Sequence, residues 1–330
     1  LTTEEPLFIR SVMRKCLENN IKNIFIEASS IGLHQNRLKG LIIEHAALTN
    51  ISRDHLDYHK NFDEYLESKL KLAEMSSLKT LTYNLDDEHF SNILNLFKGE
   101  KIYSVSCKNK KADIYFKIKQ LYQDGRISFY VRTPWGEFSS SPKLHAGYNI
   151  YNLLLSLPYY SSMTSDCSGF FSAVEEMTLP TGRLQTAGKE NIFIDFAHTP
   201  DALEAVCSEL MKKNHKGLKL IFGAGGGRDK GKRELMGNIA QKYAKKIYIT
   251  SDNPRFEKPN EIIRMITAGI SDKNKMIIES DRSEAIKMAI SELDKDEILL
   301  ITGKGHEEYQ ILGNEKKPFS DYEEVLKCIK

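Results

Sequence analysis

The residues best suited to chemistry lie in four short polar loops in the second half of the chain. Each loop follows an apolar, strand-like run: residues 195–201 (DFAHTPD), 223–230 (GAGGGRDK), 252–255 (DNPR) and 303–307 (GKGHE). In an open α/β sheet, ligands bind beyond the carboxyl ends of the strands, so the loops are expected to share one edge. One loop alone is typical of a solvated turn, whereas four at one edge favour a binding site. Their cations suit carboxylates or phosphates and their glutamate suits an ammonium, as a zwitterionic ligand requires: Arg228, Arg255, Lys304 and Glu307.

The glycine-rich loop contains a near match to a phosphate-binding P-loop. Residues 226–232 spell GxxxxGK, but the next position is Arg233. A P-loop carries Ser or Thr there, and its hydroxyl ligates magnesium. Because the match fails at a functional position, we expect instead an anion site built from backbone amides and Arg228.

A second group of candidates lies in the first half of the chain. Glu27 and His55 each follow a strand-like run and could share a metal such as Mg²⁺, which prefers carboxylate ligands. A single histidine at a strand end is more often structural. Lys69 falls inside the apolar stripe of a predicted helix, where an amine must reach solvent, find a partner or lose its charge. Reaching solvent is the default interpretation. The stripe consists of Phe62, Tyr65, Leu66, Leu70 and Ala73.

The elements that position these residues form two α/β series. In the first half, a capping box at residues 2–5 predicts a helix to about residue 19, followed by βα units of a parallel sheet and an antiparallel meander. In the second half, alternating strands and helices predict a Rossmann-like, doubly wound sheet. The turn-rich LPTG at 179–182 predicts a boundary between a domain at 1–178 and one at 179–330. The predicted first-half elements are strands 23–28, 45–51 and 80–84, helices 61–75, 86–97 and 149–157, and a meander over 112–145. The predicted second-half elements are strands 191–196, 218–222, 246–250, 275–278 and 297–302, and helices 200–213, 233–243, 259–269 and 282–293.

Composition excludes several classes of protein. The 330 residues include 47 Lys plus Arg and 45 Asp plus Glu, a net charge of +2, which argues against a general nucleic-acid partner. No apolar run approaches the roughly 20 residues that span a bilayer, so we expect no membrane partner. The five cysteines contain no CxxC pair and fit neither a zinc site nor a disulfide framework. These features predict a cytoplasmic protein.

In chain order, the polar segments resemble those of the Mur ligases, and most closely the branch that adds the third residue of the peptidoglycan stem peptide. The resemblance extends over nearly the whole chain, and its longest segments are highly specific. The segments are 27–30 (EASS), 49–59 (TNISRDHLDYH), 197–203 (AHTPDAL), 231–233 (GKR), 251–255 (SDNPR) and 303–307 (GKGHE).

The resemblance implies an ATP-dependent amide-bond ligase. Such an enzyme activates the D-glutamate of UDP-N-acetylmuramoyl-L-alanyl-D-glutamate as an acyl phosphate, which an amino acid then attacks. The DNPR segment with its Arg255 resembles that of the branch that adds meso-diaminopimelate, since an arginine suits the extra carboxylate that lysine lacks. The implied fold is an ATPase-like central domain, here incomplete, followed by an amino-acid-binding domain. The implied co-substrate is ATP and the implied metal is Mg²⁺.

Family roles carry over to individual positions. The resemblance implies that Lys69 is carbamylated and supports Mg²⁺ and catalysis together with Glu27 and His55. It assigns a first set to the UDP-muramoyl peptide: Thr2, Thr3, Ser29, Gln35 and Arg37. It assigns a second set to the nucleotide: Asn149, Asn152, Arg183 and His198. It assigns a third set to the amino acid: Arg228, Asn253, Arg255, Gly303 and Glu307.

Three departures separate this sequence from the family pattern. Ile31 stands where a histidine is common, and Gly227 stands where an acidic residue is common, which affects the surroundings of Arg228. The family's N-terminal uridine-binding domain and its GTNGKT-type P-loop have no counterpart in the sequence. We therefore expect ATP turnover near background for this chain alone. A non-catalytic binding fragment and a folylpolyglutamate synthetase-like ligase remain alternatives, although DNPR and GKGHE argue against the second.

Overall fold

Two six-stranded sheets, each packed against helices, organise the chain. The structure, a computed structural model, describes residues 2–164, 166–212 and 216–329. Within these ranges the first sheet holds strands of the first half and the second sheet strands of the second half, and a two-stranded hairpin follows the second sheet. The α/β fold class, with a meander in the first part and a doubly wound second part, is therefore confirmed. The division between domains at residue 179 stays a prediction.

The first sheet has the strand order β1-β2-β3-β4-β5-β6. Strands β1 to β4 pair in parallel, and β4 to β6 form the antiparallel meander. Its elements are α1 (Pro6–Glu18), α2 (Ser30–His34), β1 (His45–Leu48), α3 (Phe62–Leu70), β2 (Thr80–Asn84), α4 (Ile93–Leu96), β3 (Lys101–Ser106), β4 (Ile114–Leu121), β5 (Ile127–Thr133), β6 (Gly136–Ser140), α5 (Tyr148–Leu154), α6 (Leu157–Met163) and α7 (Ser168–Glu175).

The second sheet has the order β11-β10-β9-β12-β8-β7, with only β7 antiparallel to its neighbour. Its elements are β7 (Gln185–Ala187), β8 (Lys189–Asp195), α8 (Pro200–Met211), β9 (Gly217–Phe222), α9 (Gly231–Tyr243), β10 (Lys246–Ile249), α10 (Pro259–Thr267), β11 (Met276–Ile278), α11 (Arg282–Ser291) and β12 (Glu297–Thr302). The chain continues into the hairpin strands β13 (Tyr309–Leu312) and β14 (Glu315–Pro318) and then α12 (Asp321–Ile329). The predicted end of α8 at residue 213 lies outside the described residues.

Helices cover both faces of the second sheet. Along β12, Ile298 and Leu300 belong to the core under α8, α9 and α10, whereas Leu299 and Ile301 belong to the core under α11 and α12. Strands buried on both faces read as continuous apolar runs, which explains why β9 and β12 stand out in the sequence. The result is a rigid platform whose carboxyl edge carries the polar loops.

Three expectations about the first half are wrong. Residues 23–28 form no strand, because no described strand pairs with them, and Phe25 is 77% exposed. The predicted capping box does not form, because the Thr3 hydroxyl bonds with the Glu27 carbonyl and the Ser29 amide while α1 begins at a proline. The predicted helix 86–97 is a 3₁₀ turn followed by the four-residue α4.

None of the helices in the described ranges has both the length and the apolar character that crossing a membrane requires.

Candidate functional site

The four chemically dense loops lie at one edge of the second sheet, as predicted. They follow β8, β9, β10 and β12, which are neighbours and run in parallel. The strands end almost level, since Thr302 pairs with Asp195 and Ile249 pairs with Phe222. Side chains of all four loops can therefore reach a common ligand.

A buried polar cluster joins the DNPR and GKGHE loops. The Asn253 side-chain amide donates to Glu307 Oε2 at 2.8 Å, and Lys304 Nζ lies 3.0 Å from the same oxygen. Lys304 is fully buried and also contacts Asn253 Oδ1 at 3.3 Å. Lys304 therefore orients Glu307 and is not itself free for a ligand's carboxylate, in contrast to the sequence expectation. Gly303 has φ +109°, and a Cβ there would lie 2.5 Å from Asp252 Oδ2, so this position requires glycine.

Arg255 and Arg228 both lie against Gly225 of the glycine-rich loop. A Cβ built on Gly225 would be 3.0 Å from Arg255 Nη1 and 3.5 Å from Arg228 Cγ. Arg255 adopts φ +51°, and its backbone bonds with the hairpin that follows β12, donating to Ile311 O at 3.0 Å. Its guanidinium donates to Gly226 O at 2.9 Å. Two arginines at one loop suit a ligand with more than one carboxylate.

The glycine-rich loop does not form a phosphate cradle. The Gly226 amide donates to Asn253 O at 2.9 Å and the Gly227 amide donates to Glu257 Oε1 at 2.6 Å. These amides already have acceptors, so the expected anion site of backbone amides is wrong at these positions. Arg233, the residue that breaks the P-loop pattern, is fully buried and forms a bidentate pair with Glu257 at 2.9 Å for both contacts.

The loop after β1 reaches across to the second sheet through a line of ion pairs, here called the inter-sheet seam. Asp54 lies 3.5 Å from His198 Nε2 and 3.8 Å from Lys232 Nζ. Burial raises the pKa of Asp54, but the hydrogen bond with His198 and the nearby positive charges outweigh it and hold this pKa well below its usual range. The seam consists of Arg53–Asp229, Asp57–Arg228, Asp54–His198 and Asp54–Lys232.

Four of the five residues that the resemblance assigns to the UDP-muramoyl peptide lie together. Thr3 Oγ1 accepts from the Ser29 amide at 2.8 Å. The Arg37 guanidinium donates to Thr3 O at 2.6 Å and to Gln35 Oε1 at 2.7 Å. Thr2 is the exposed residue preceding this network. Their proximity is consistent with a shared ligand, and their roles stay predictions.

The residues predicted for the nucleotide form two pairs. Arg183 lies over the ring of Phe196, 4.8 Å from its centroid, and His198 packs against the same ring at 4.9 Å. On α5, the Asn152 amide donates to Asn149 Oδ1 at 3.2 Å. Asn149 itself donates to Leu144 O at 2.9 Å, which fixes the start of this helix.

Glu27, His55 and Lys69 are the predicted metal group. Burial lowers the pKa of Lys69, and the charges of Glu27 and Asp54 oppose this shift. Burial also lowers the pKa of His55, which favours a neutral ring that can ligate a metal. In the described part of the chain, no three His, Cys, Asp or Glu side chains are arranged to hold a metal ion. The group would fit Mg²⁺ only if carbamylation made Lys69 a third, carboxylate-like donor, and its metal role stays a prediction.

Sequence reasoning missed the partners that hold the loops. Asp54 and Lys232 lie inside segments that carry the family resemblance, but the resemblance assigns them no role. Glu257 lies two residues beyond Arg255. The Arg233–Glu257 pair joins residues 24 apart on different elements, which no local spacing encodes. A weak signal existed, because an arginine on the buried side of a helix requires a countercharge.

The paired α/β sheets, the level polar loops and the charged seam between them are typical of a two-part α/β enzyme that acts on a charged small molecule. Comparison with known proteins gives the family. A model of the Mur ligase middle domain matches residues 1–159, and a model of the Mur ligase glutamate ligase domain matches residues 182–305. The chain belongs to the Mur ligase family.

Individual relatives agree. A protein of Rickettsia bellii named UDP-N-acetylmuramoyl-L-alanyl-D-glutamate–2,6-diaminopimelate ligase is 40% identical over 337 residues, covering 98% of this chain and 68% of the relative. A solved structure with the same name is 35% identical, with TM-score 0.59, covering 92% of this chain and 63% of its own. The MurF ligase of Thermotoga maritima in complex with ADP is 15% identical with TM-score 0.65, covering 92% and 64%, and shows the fold alone. The chain thus spans about two thirds of the length of these relatives.

Proposed function

We propose that the protein is an ATP-dependent amide-bond ligase that adds meso-diaminopimelate to UDP-N-acetylmuramoyl-L-alanyl-D-glutamate in cytoplasmic peptidoglycan synthesis. The observation that carries this proposal is that Arg228 and Arg255 both lie against Gly225, and that the loop of Arg255 also carries the Asn253–Glu307 contact. The names of the relatives at 35–40% identity support the same substrates. They also favour this ligase over a folylpolyglutamate synthetase-like enzyme.

The proposed amino-acid pocket separates the two ends of its ligand by charge. Glu307, held by Asn253 and Lys304, accepts hydrogen bonds from an ammonium. Arg255 and the donors of Arg228 that Asp57 leaves unused bind carboxylates, and a bidentate arginine–carboxylate contact fixes geometry as well as charge. Diaminopimelate carries a carboxylate at its distal end where lysine has none, so Arg255 selects between them.

The first half supplies the acyl donor. The network of Thr3, Ser29, Gln35 and Arg37 binds the UDP-muramoyl peptide, and the residues beside Phe196 and on α5 bind ATP. Glu27, His55 and carbamylated Lys69 would hold Mg²⁺, which when bound offsets negative charge on the transferring phosphoryl group. Holding donor and amine in one geometry is the main contribution that protein residues make to such a transfer.

The test is amino-acid binding by the purified chain, measured by calorimetry. Wild type is expected to bind meso-diaminopimelate at least tenfold more tightly than L-lysine, and Arg255→Ala is expected to lose at least tenfold in diaminopimelate affinity, about 1.4 kcal/mol or more. Arg264→Ala, on α10, serves as the matched control and should bind as wild type does. Equal affinities of wild type for the two amino acids would contradict the proposed substrate.

A further inference from the structure

The glycine-rich loop and the DNPR loop press directly on each other. A Cβ on Gly226 would lie only 1.9 Å from Pro254 O, so a side chain there would force the two loops apart. The Gly226 amide donates to Asn253 O and the Arg255 guanidinium donates back to Gly226 O, both at 2.9 Å. The position of Arg228 and Arg255 thus depends on how the glycine-rich loop packs against the DNPR loop, here called the seating of the loop.

Glu257 holds that loop from one side. Its Oε1 accepts the Gly227 amide at 2.6 Å. Gly227 has φ +62° and nothing within 4 Å of its Cβ direction, so packing of a side chain does not fix its conformation. The hydrogen bond that the Gly227 amide donates to Glu257 supplies the constraint at this residue, directly before Arg228.

Arg233 fixes Glu257 in turn. Nη1 and Nη2 of Arg233 each lie 2.9 Å from a Glu257 carboxylate oxygen, and Nη2 also donates to Gly225 O at 3.1 Å. The Arg233 side chain is fully buried at the start of α9. Arg233 and Glu257 therefore clamp residues 225–227 between them.

We propose that Glu257 and Arg233 are positioning residues that seat the glycine-rich loop on the DNPR loop and thereby set the spacing with which Arg228 and Arg255 recognise a dicarboxylic amino acid. The inference rests on the proposed function for the identity of the ligand. The seating of the loop does not depend on it. Neither residue touches the ligand, and both act through the backbone of residues 225–227.

The first experiment measures the seating itself by hydrogen exchange of the wild-type chain and Glu257→Gln. A glutamine keeps the size of the side chain but cannot satisfy both the Gly227 amide and the two guanidinium nitrogens. Faster exchange is expected in residues 223–230 and 251–257, with β9 and β12 unchanged. Glu204→Gln, which removes a charge from an exposed pair on α8, is the matched control and should exchange as wild type does.

The second experiment measures recognition by calorimetry with meso-diaminopimelate and L-lysine. Glu257→Gln is expected to lose at least tenfold in diaminopimelate affinity and little in lysine affinity, because misplaced arginines affect the distal carboxylate alone. Loss of folded protein would reduce both affinities equally. If Glu257→Gln fails to fold, Arg233→Lys replaces it. This variant keeps the buried positive charge but loses the bidentate contact with Glu257, and the same change in amino-acid preference is expected.

The outcomes separate the two proposals. Unchanged exchange in both loops of a folded Glu257→Gln overturns the positioning role, and so does faster exchange with unchanged amino-acid preference. Absence of diaminopimelate preference in wild type overturns the proposed function, and the claim about recognition falls with it. Faster exchange in Glu257→Gln would in that case still support the contact between the two loops, so the failure would lie in the identity of the ligand.

Discussion

The strongest prediction about stability concerns Arg282 and Asp321, the first residues of α11 and α12. Both side chains are 0% exposed, and the guanidinium donates to the two carboxylate oxygens at 2.7 and 2.8 Å. Arg282 also donates to Thr302 O at 2.9 Å, at the end of β12. Burial lowers the pKa of Arg282, but the adjacent Asp321 outweighs this effect and raises it. Arg282 therefore stays charged, and the pair joins two helices to the loop-bearing edge of the sheet.

Asp321→Asn should leave the guanidinium buried without its main countercharge. Breaking a buried pair from one side costs about 3–5 kcal/mol. A loss of 1 kcal/mol lowers the melting temperature of a domain of this size by about 2–4 °C, so a fall of roughly 6–20 °C is expected. The control is Glu204→Gln, whose exposed pair with Lys242 is worth at most about 1 kcal/mol.

The assay is scanning calorimetry of the three proteins at pH 7, with urea unfolding as a second measure. The double variant Arg282→Met/Asp321→Leu should be more stable than Asp321→Asn, because it leaves no unpaired buried charge. If Asp321→Asn melts within the range of Glu204→Gln, the guanidinium is solvated or differently paired and the reasoning fails.

Three further predictions concern the site. Native mass spectrometry in bicarbonate should find one added CO₂ on wild type and none on Lys69→Ala, because burial lowers the pKa of this lysine and favours the neutral amine that carbamylation requires; an unmodified wild type contradicts this. Arg233 lowers the pKa of Glu257 from its ordinary 4.5 to about 2, so the ionised Glu257 contributes its full stabilisation above pH 4.5 and loses it as the pH falls towards 2. Between these pH values the free energy of unfolding should therefore fall less steeply in Glu257→Gln than in wild type. Equal slopes in the two proteins refute this prediction. Gly226→Ala should weaken diaminopimelate binding, whereas Gly136→Ala, at the start of β6 in the first sheet and with only the Phe138 ring at 3.5 Å, should affect only stability, by about 1–3 kcal/mol; equal binding by both variants contradicts the close contact.

The second sheet could be predicted closely because its strands are buried on both faces. The observed β9 and β12 agree with the predicted 218–222 and 297–302 to within one residue. Continuous apolar runs bounded by glycine-rich loops leave few alternatives. The hairpin of β13 and β14 was missed, since its strands are half-buried or exposed and carry lysines, so no periodicity marks them.

In the first half of the chain, the prediction of a strand at residues 23–28 failed for a different reason. Residues 23–28 have the apolar pattern of a strand, yet a strand also requires a neighbouring backbone for its hydrogen bonds, and no described strand provides one. In the site, loops after strands could be located from sequence because the sheet determines where they end. Pairings such as Glu257 with Arg233 depend on the tertiary packing of α9 against the following loop.

The loop after β1 explains how chemistry in the two halves can be coupled. His55 adopts φ +55°, and its amide donates to Asp54 Oδ1 at 2.8 Å, so the chain turns sharply between neighbouring functional residues. Burial lowers the pKa of His55, and so does the charge of Lys69, another member of the proposed metal group, whereas Asp54 contacts His198 and Lys232 of the second half. A shift of this loop would therefore move the metal group and the seam together. Under the proposed function, this coupling brings the acyl phosphate formed in the first half towards the amine held in the second.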